Sequence, residues 1–143
     1  MFDPTREEVR EAFFGAWRKY RAGEPLAGFE SLALGVILQH AEYHAMLSQP
    51  ERYRERDFVG ESNPFLHLSL HVALEEQLSI DQPAGIAARF RALVERCGER
   101  HAALHQALEC LAETVSRAQR HKAPPDAAAY LECLERRAKV RPD

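Results

Sequence analysis

Residues 63–82 leave this chain one choice of local structure. They read Asn-Pro-Phe-Leu-His-Leu-Ser-Leu-His-Val-Ala-Leu-Glu-Glu-Gln-Leu-Ser-Ile-Asp-Gln. The side-chain oxygen of Asn63 suits an N-cap, and Pro64 suits a first helical position, where no N–H is needed. The run predicts a helix from Pro64 to about Ile80. His67, His71 and Glu75 follow one another at four-residue steps. Each step turns about 40° around a helix, so all three share one narrow stripe. Leu70, Leu74 and Leu78 lie beside that stripe and turn it toward the core.

The flanking sequence has the same character. Asp3 or a Thr5/Glu8 capping box starts a first helix, with Val9, Phe13, Ala16, Trp17 and Tyr20 at helical spacing and Gly23 as C-cap. Pro25 opens a second helix whose inner face carries Leu26, Phe29, Ala33, Val36, Ile37 and His40. That helix either stops near Gln39 and resumes briefly or continues to Ser48. Residues 49–62 are mostly loop, with Tyr53 and Phe58 able to pin it. After a turn at residues 81–85, Ile86, Phe90, Leu93, Val94 and Cys97 face inward from a further helix, which Gly98 either breaks or interrupts. A helix from Glu99 to about Arg120 places Leu104, Leu108, Ala112 and Val115 inward, and a last helix runs from about Pro125 to Ala138. Residues 139–143 form a frayed tail. No stretch reads as a strand. The expectation is all-α: a single domain over residues 1–143, built as a bundle of five to seven mostly antiparallel helices.

Bulk properties exclude several classes. A chain of 143 residues with net charge -3 presents no broad basic surface for nucleic acid. No apolar run approaches the ~18 residues of a membrane span. The first eight residues are charged and helix-capping, unlike a signal peptide. Cys97, Cys110 and Cys133 are odd in number and form no paired motif. That suits a reducing cytoplasm, with Cys110 and Cys133 as small buried hydrophobes. No nucleophile elbow, phosphate loop or dinucleotide fingerprint calls for an organic cofactor.

The histidines carry the chemical signal. Six of the seven form pairs four residues apart: His40/His44, His67/His71 and His101/His105. The second and third pairs continue in register to Glu75 and Glu109, and Glu42 lies between the first two histidines. Side chains four apart on a helix can reach one ion. Imidazole suits zinc, iron, copper or nickel, and carboxylates add affinity for iron and manganese. In an up-and-down bundle, climbing back from the turn at Gln82 at about 1.5 Å per residue brings all three pairs to one layer. The expected ligands are His67, His71, His101 and His105, completed by Glu75 or Glu109, with His40 and His44 next. The competing expectation is metal-free: a His/Glu seam in a structural or interaction module that docks a partner or a second copy.

Four stretches together resemble a known family. They are residues 13–20 (Phe-Phe-Gly-Ala-Trp-Arg-Lys-Tyr), Glu42-Tyr43-His44, residues 63–83, and residues 129–134 (Ala-Tyr-Leu-Glu-Cys-Leu). The resemblance is to a bacterial family of short proteins known only as a domain of unknown function, and it covers nearly the whole chain. It implies one small helical domain and no established activity. The family pattern often has proline after the position of His40, where this chain has Ala41. A looser similarity, of architecture and ligand type only, is to hemerythrin-like metal-binding bundles.

Overall fold

The computed structural model describes residues 6–59 and 62–139. The elements are α1 (Arg6–Ala22), α2 (Phe29–Ile37), a 3-10 turn (Ala41–Tyr43), α3 (His44–Leu47), α4 (Pro50–Tyr53), α5 (Pro64–Ile80), α6 (Ile86–Cys97), α7 (Arg100–His121) and α8 (Ala127–Lys139). No strand occurs among the described residues, so the fold class is all-α. The chain divides into two compact units, Met1–Val72 and Ala73–Asp143. The expected caps at Asp3 and Thr5 and the tail beyond Lys139 lie outside the described residues.

In the first unit, α1 packs on α2 and α3. Phe13, Phe14, Ala16 and Trp17 from α1 share a core with Ala33, Val36 and Ile37 from α2, Met46 and Leu47 from α3, and Phe65, Leu68 and Val72 from α5. Phe14 meets Phe65 edge-on at 5.5 Å between centroids. Tyr20, on the same stripe in sequence, is exposed, because the core does not extend to the last turn of α1.

The second helix starts at Phe29 and not at Pro25. Gly28 adopts φ 57 and ψ -127, a conformation that ends helical propagation on its N-terminal side and that glycine reaches without strain. The Lys19–Glu30 ion pair at 2.7 Å fixes the new start against α1. Of the two expectations for its far end, the interrupted one holds: α2 stops at Ile37 and helix resumes at Ala41.

Residues 49–59 are mostly irregular, with one short helix behind Pro50. They are tied down by Arg10, which is only 2% exposed. Its Nη1 donates to the carbonyls of Tyr53 (3.0 Å), Arg54 (3.2 Å) and Arg56 (2.8 Å). Its guanidinium lies over Phe58 and Phe65. Burial lowers its pKa from the usual arginine value. Phe58 thus serves as the anchor the sequence suggested, through the Phe65 ring 6.1 Å away.

The start of α5 follows its sequence closely. Asn63 Oδ1 accepts the N–H groups of Phe65 (3.0 Å) and Leu66 (3.3 Å), with Pro64 at the first position.

In the second unit α6, α7 and α8 pack on one another pairwise. Gly98, at φ 84, breaks the chain between α6 and α7. Asp81 accepts the N–H groups of Gly85 and Ala87 and so caps the start of α6. On α7 the buried stripe runs through Leu104, Leu108, Leu111 and Thr114. Ala112 is exposed and Val115 only half-buried, contrary to the expected inner face. Over a 22-residue helix a four-residue stripe drifts round the axis, and the core follows the neighbouring position.

One correction concerns the cysteines. Cys110 and Cys133 are buried, as expected, but they form a disulfide joining α7 to α8, and Cys97 is the free thiol. Their Cα atoms stand 5.9 Å apart, within bridging range. No local spacing motif announces a pair brought together by two packed helices.

Candidate metal centre

Three histidines converge in the first unit. Each of His40, His67 and His71 offers one ring nitrogen, and these three atoms lie within 4.8 Å of one another. His67 and His71 stand one turn apart on α5, as their spacing requires. His40 arrives from the break between α2 and the 3-10 turn, at φ -127 and ψ 69. That break is what frees its ring from helical direction. His40 and His71 are 5% and 3% exposed, and His67 is half-buried.

The hydrogen bonds order the rings. His40 Nδ1 lies 3.1 Å from Glu42 Oε1. An ionised carboxylate only accepts, so Nδ1 carries the proton and a neutral His40 has its lone pair on Nε2. That Nε2 lies 3.1 Å from His71 Nδ1. The His40 ring meets the His67 ring edge-on at 4.8 Å between centroids. Two nitrogens sharing an ion at about 2.1 Å each stand roughly 3.0–3.4 Å apart at octahedral or tetrahedral angles. The His40–His71 contact falls in that range, and the third candidate nitrogen, on the half-buried His67, lies within 4.8 Å of the other two.

The surroundings are charged and aromatic. The pKa of Glu42 is lowered, first by its own backbone N–H and then by His40, so it is ionised at neutral pH. Burial, with a smaller contribution from Glu42, raises the pKa of Tyr43, so its hydroxyl stays protonated. The Tyr43 ring lies 5.4 Å from His40 and 6.2 Å from His67.

The other expected ligands go elsewhere. His44 Nε2 donates to the carbonyl of Ile37 at 2.9 Å and caps the end of α2. Its ring stacks on Trp17 at 4.3 Å, and Trp17 Nε1 donates to Ser48 Oγ at 2.9 Å. His44 therefore holds the segment that delivers His40. His101 and His105 lie on the exposed face of α7 in the second unit, 4.7 Å apart between ring centroids. Glu109 is exposed and pairs with Arg137, which also reaches Gln106. Glu75, half-buried, pairs with Arg100 at 2.8 Å.

Sequence reasoning gave Glu42 no role beyond noting its place between two histidines. Its position two residues after His40 is a contact that only a non-helical bend permits, and helical spacing cannot reveal it.

Residues 5–136 match the model of a family described as a domain of unknown function (DUF1841), and the chain belongs to that family. No curated protein and no solved structure matches it.

Proposed function

We propose that this protein binds a divalent metal ion through His40, His67 and His71, with Glu42 orienting His40. The observation that carries the proposal is the convergence of three imidazoles, two of them buried, with His40 Nε2 3.1 Å from His71 Nδ1. The carboxylate on the far nitrogen of His40 supports it, because a metal-bound histidine usually donates its other N–H to such a group. Three imidazoles favour zinc, then iron. His40, His67 and His71 would hold the ion, and an ion held by three protein ligands would supply Lewis-acid chemistry to a water or substrate oxygen. Tyr43, whose ring lies 5.4 Å from that of His40 and 6.2 Å from that of His67, would be a nearby hydroxyl able to hold a proton.

A metal-free seam is the alternative, and one observation favours it. Glu42, His40 and His71 form a hydrogen-bonded chain, each contact 3.1 Å long, that pairs both His40 nitrogens and His71 Nδ1 without an ion. In that case the module acts through its packing or a partner. Zinc titration of the untagged chain separates the two. His40→Ala and His71→Ala should abolish tight binding while the His101→Ala/His105→Ala double variant keeps it. Equal binding by all three variants would overturn the ligand assignment.

A further inference from the structure

In the first unit a groove of about 650 Å³ runs between α1 and the segment that carries α3 and α4. Glu11, Gly15, Arg18 and Ala22 border it at three- and four-residue steps. It therefore follows one stripe of α1 for about 16 Å. The buried Phe14, Trp17 and Leu47 edge its floor.

Two residues of this groove are not accounted for by the packing of the chain. Gly15 lies inside α1 with an ordinary helical φ, where glycine costs stability relative to alanine. A Cβ at that position would meet no neighbouring atom within 4 Å. Neither the backbone nor a close contact requires glycine, and its missing side chain leaves the groove open. Arg21 is the other. Of the three arginines that border the groove, Arg18 pairs with Glu24 and Arg54 with Glu11. Among the described residues no carboxylate pairs with Arg21. Its Nη1 donates to Ser48 Oγ at 3.3 Å, and its guanidinium lies 6.0 Å from the centre of the Trp17 ring. Ser48 Oγ is itself fixed, accepting from Trp17 Nε1 at 2.9 Å and donating to the His44 carbonyl at 3.0 Å. The guanidinium is thus held at one end of the groove, and its other N–H groups suit a carboxylate.

We propose that this groove binds a medium-chain fatty acid, with the carboxylate on Arg21 and the alkyl chain lying across Gly15 between Phe14 and Leu47. A single cation without a counter-charge suits a single negative charge. A long, narrow, apolar floor suits an unbranched chain, and the paired Glu11 and Arg54 close the far end. Burial of the chain supplies the affinity, and the charge sets its direction.

The test uses the full chain and decanoate below its micelle threshold. Binding is followed by isothermal titration calorimetry and by the emission of Trp17, the one tryptophan. The expected result is saturable one-to-one binding that shifts the Trp17 emission. Decyltrimethylammonium, with the same chain and the opposite charge, should not compete. Arg21→Gln, at an exposed position, should weaken decanoate binding about fivefold. Gly15→Leu, shown to be folded by circular dichroism, should weaken it about tenfold or more by filling the groove. Gly15→Ala should raise the melting temperature, since the glycine serves the groove and not the fold. Absence of saturable binding, equal binding of decyltrimethylammonium, or wild-type affinity in Arg21→Gln would each overturn the proposal.

Discussion

Glu42 offers the sharpest probe of the histidine cluster, because it would tune a bound ion by its charge and by orienting His40 without being a ligand itself. Its carboxylate oxygen lies 3.1 Å from His40 Nδ1. Adding the ring and a coordination bond puts it about 7 Å from an ion on Nε2. The Glu42 side chain is 62% exposed, so the intervening dielectric is close to that of water. One negative charge facing two positive ones at that distance is worth about 1 kcal/mol, or five- to tenfold in affinity. That sits at the low end of the roughly 10- to 100-fold cost of losing such an outer partner, as its exposure requires. Glu42→Gln, which keeps an acceptor for Nδ1, should weaken zinc binding by about five- to tenfold, and less at high salt. Glu42→Ala should weaken it further, because the ring also loses its orientation. Competition against a chromophoric chelator measures both. Wild-type affinity in both variants, or a loss that grows with salt, would refute the reasoning.

Three further outcomes follow from the packing. Arg10→Met removes the donor to three carbonyls but also the burial of a charge, and the net loss should be about 1–3 kcal/mol by chemical denaturation. Trypsin should then cut faster at Arg52, Arg54 and Arg56 in the segment that Arg10 holds. Tyr130 is buried and its hydroxyl donates to Gln77 Oε1 at 2.7 Å. Tyr130→Phe should cost about 1–2 kcal/mol in thermal or urea unfolding, because the Gln77 carbonyl loses its partner. Asp81 is held below its ordinary pKa by the N–H of Ala87 and then of Gly85. Its contribution is therefore present above the unfolded value of about 4 and is lost as pH falls through the folded one. Wild type should exceed Asp81→Asn in stability at neutral pH, and the difference should vanish in acid.

The helices were largely legible because their signals are local. Asn63-Pro64 marks the start of α5 and Gly98 the break after α6, each by a conformational requirement of one or two residues. The start of α2 was misplaced because Pro25 is permissive of a helix start, whereas the φ 57 of Gly28 decides it. The candidate cluster was legible only in part. Four-residue spacing found His67 and His71, whose stripe does face inward at His71. Spacing alone gave equal weight to His101 and His105, which lie on the solvent side of α7, since two faces of a helix share one period. His40 joins the cluster by leaving helical geometry, and Glu42 reaches it by the same bend. The Cys110–Cys133 pairing depends on the contact of α7 with α8, which no local pattern encodes.

Elemental analysis of the purified, untagged protein tests the central claim most directly. The expected result is close to one zinc or iron ion per chain, falling to background in His40→Ala and His71→Ala while both remain folded. No metal in the wild-type protein, even after incubation with zinc, iron and manganese in turn, would contradict the claim. The three histidines would then stand as a hydrogen-bonded seam.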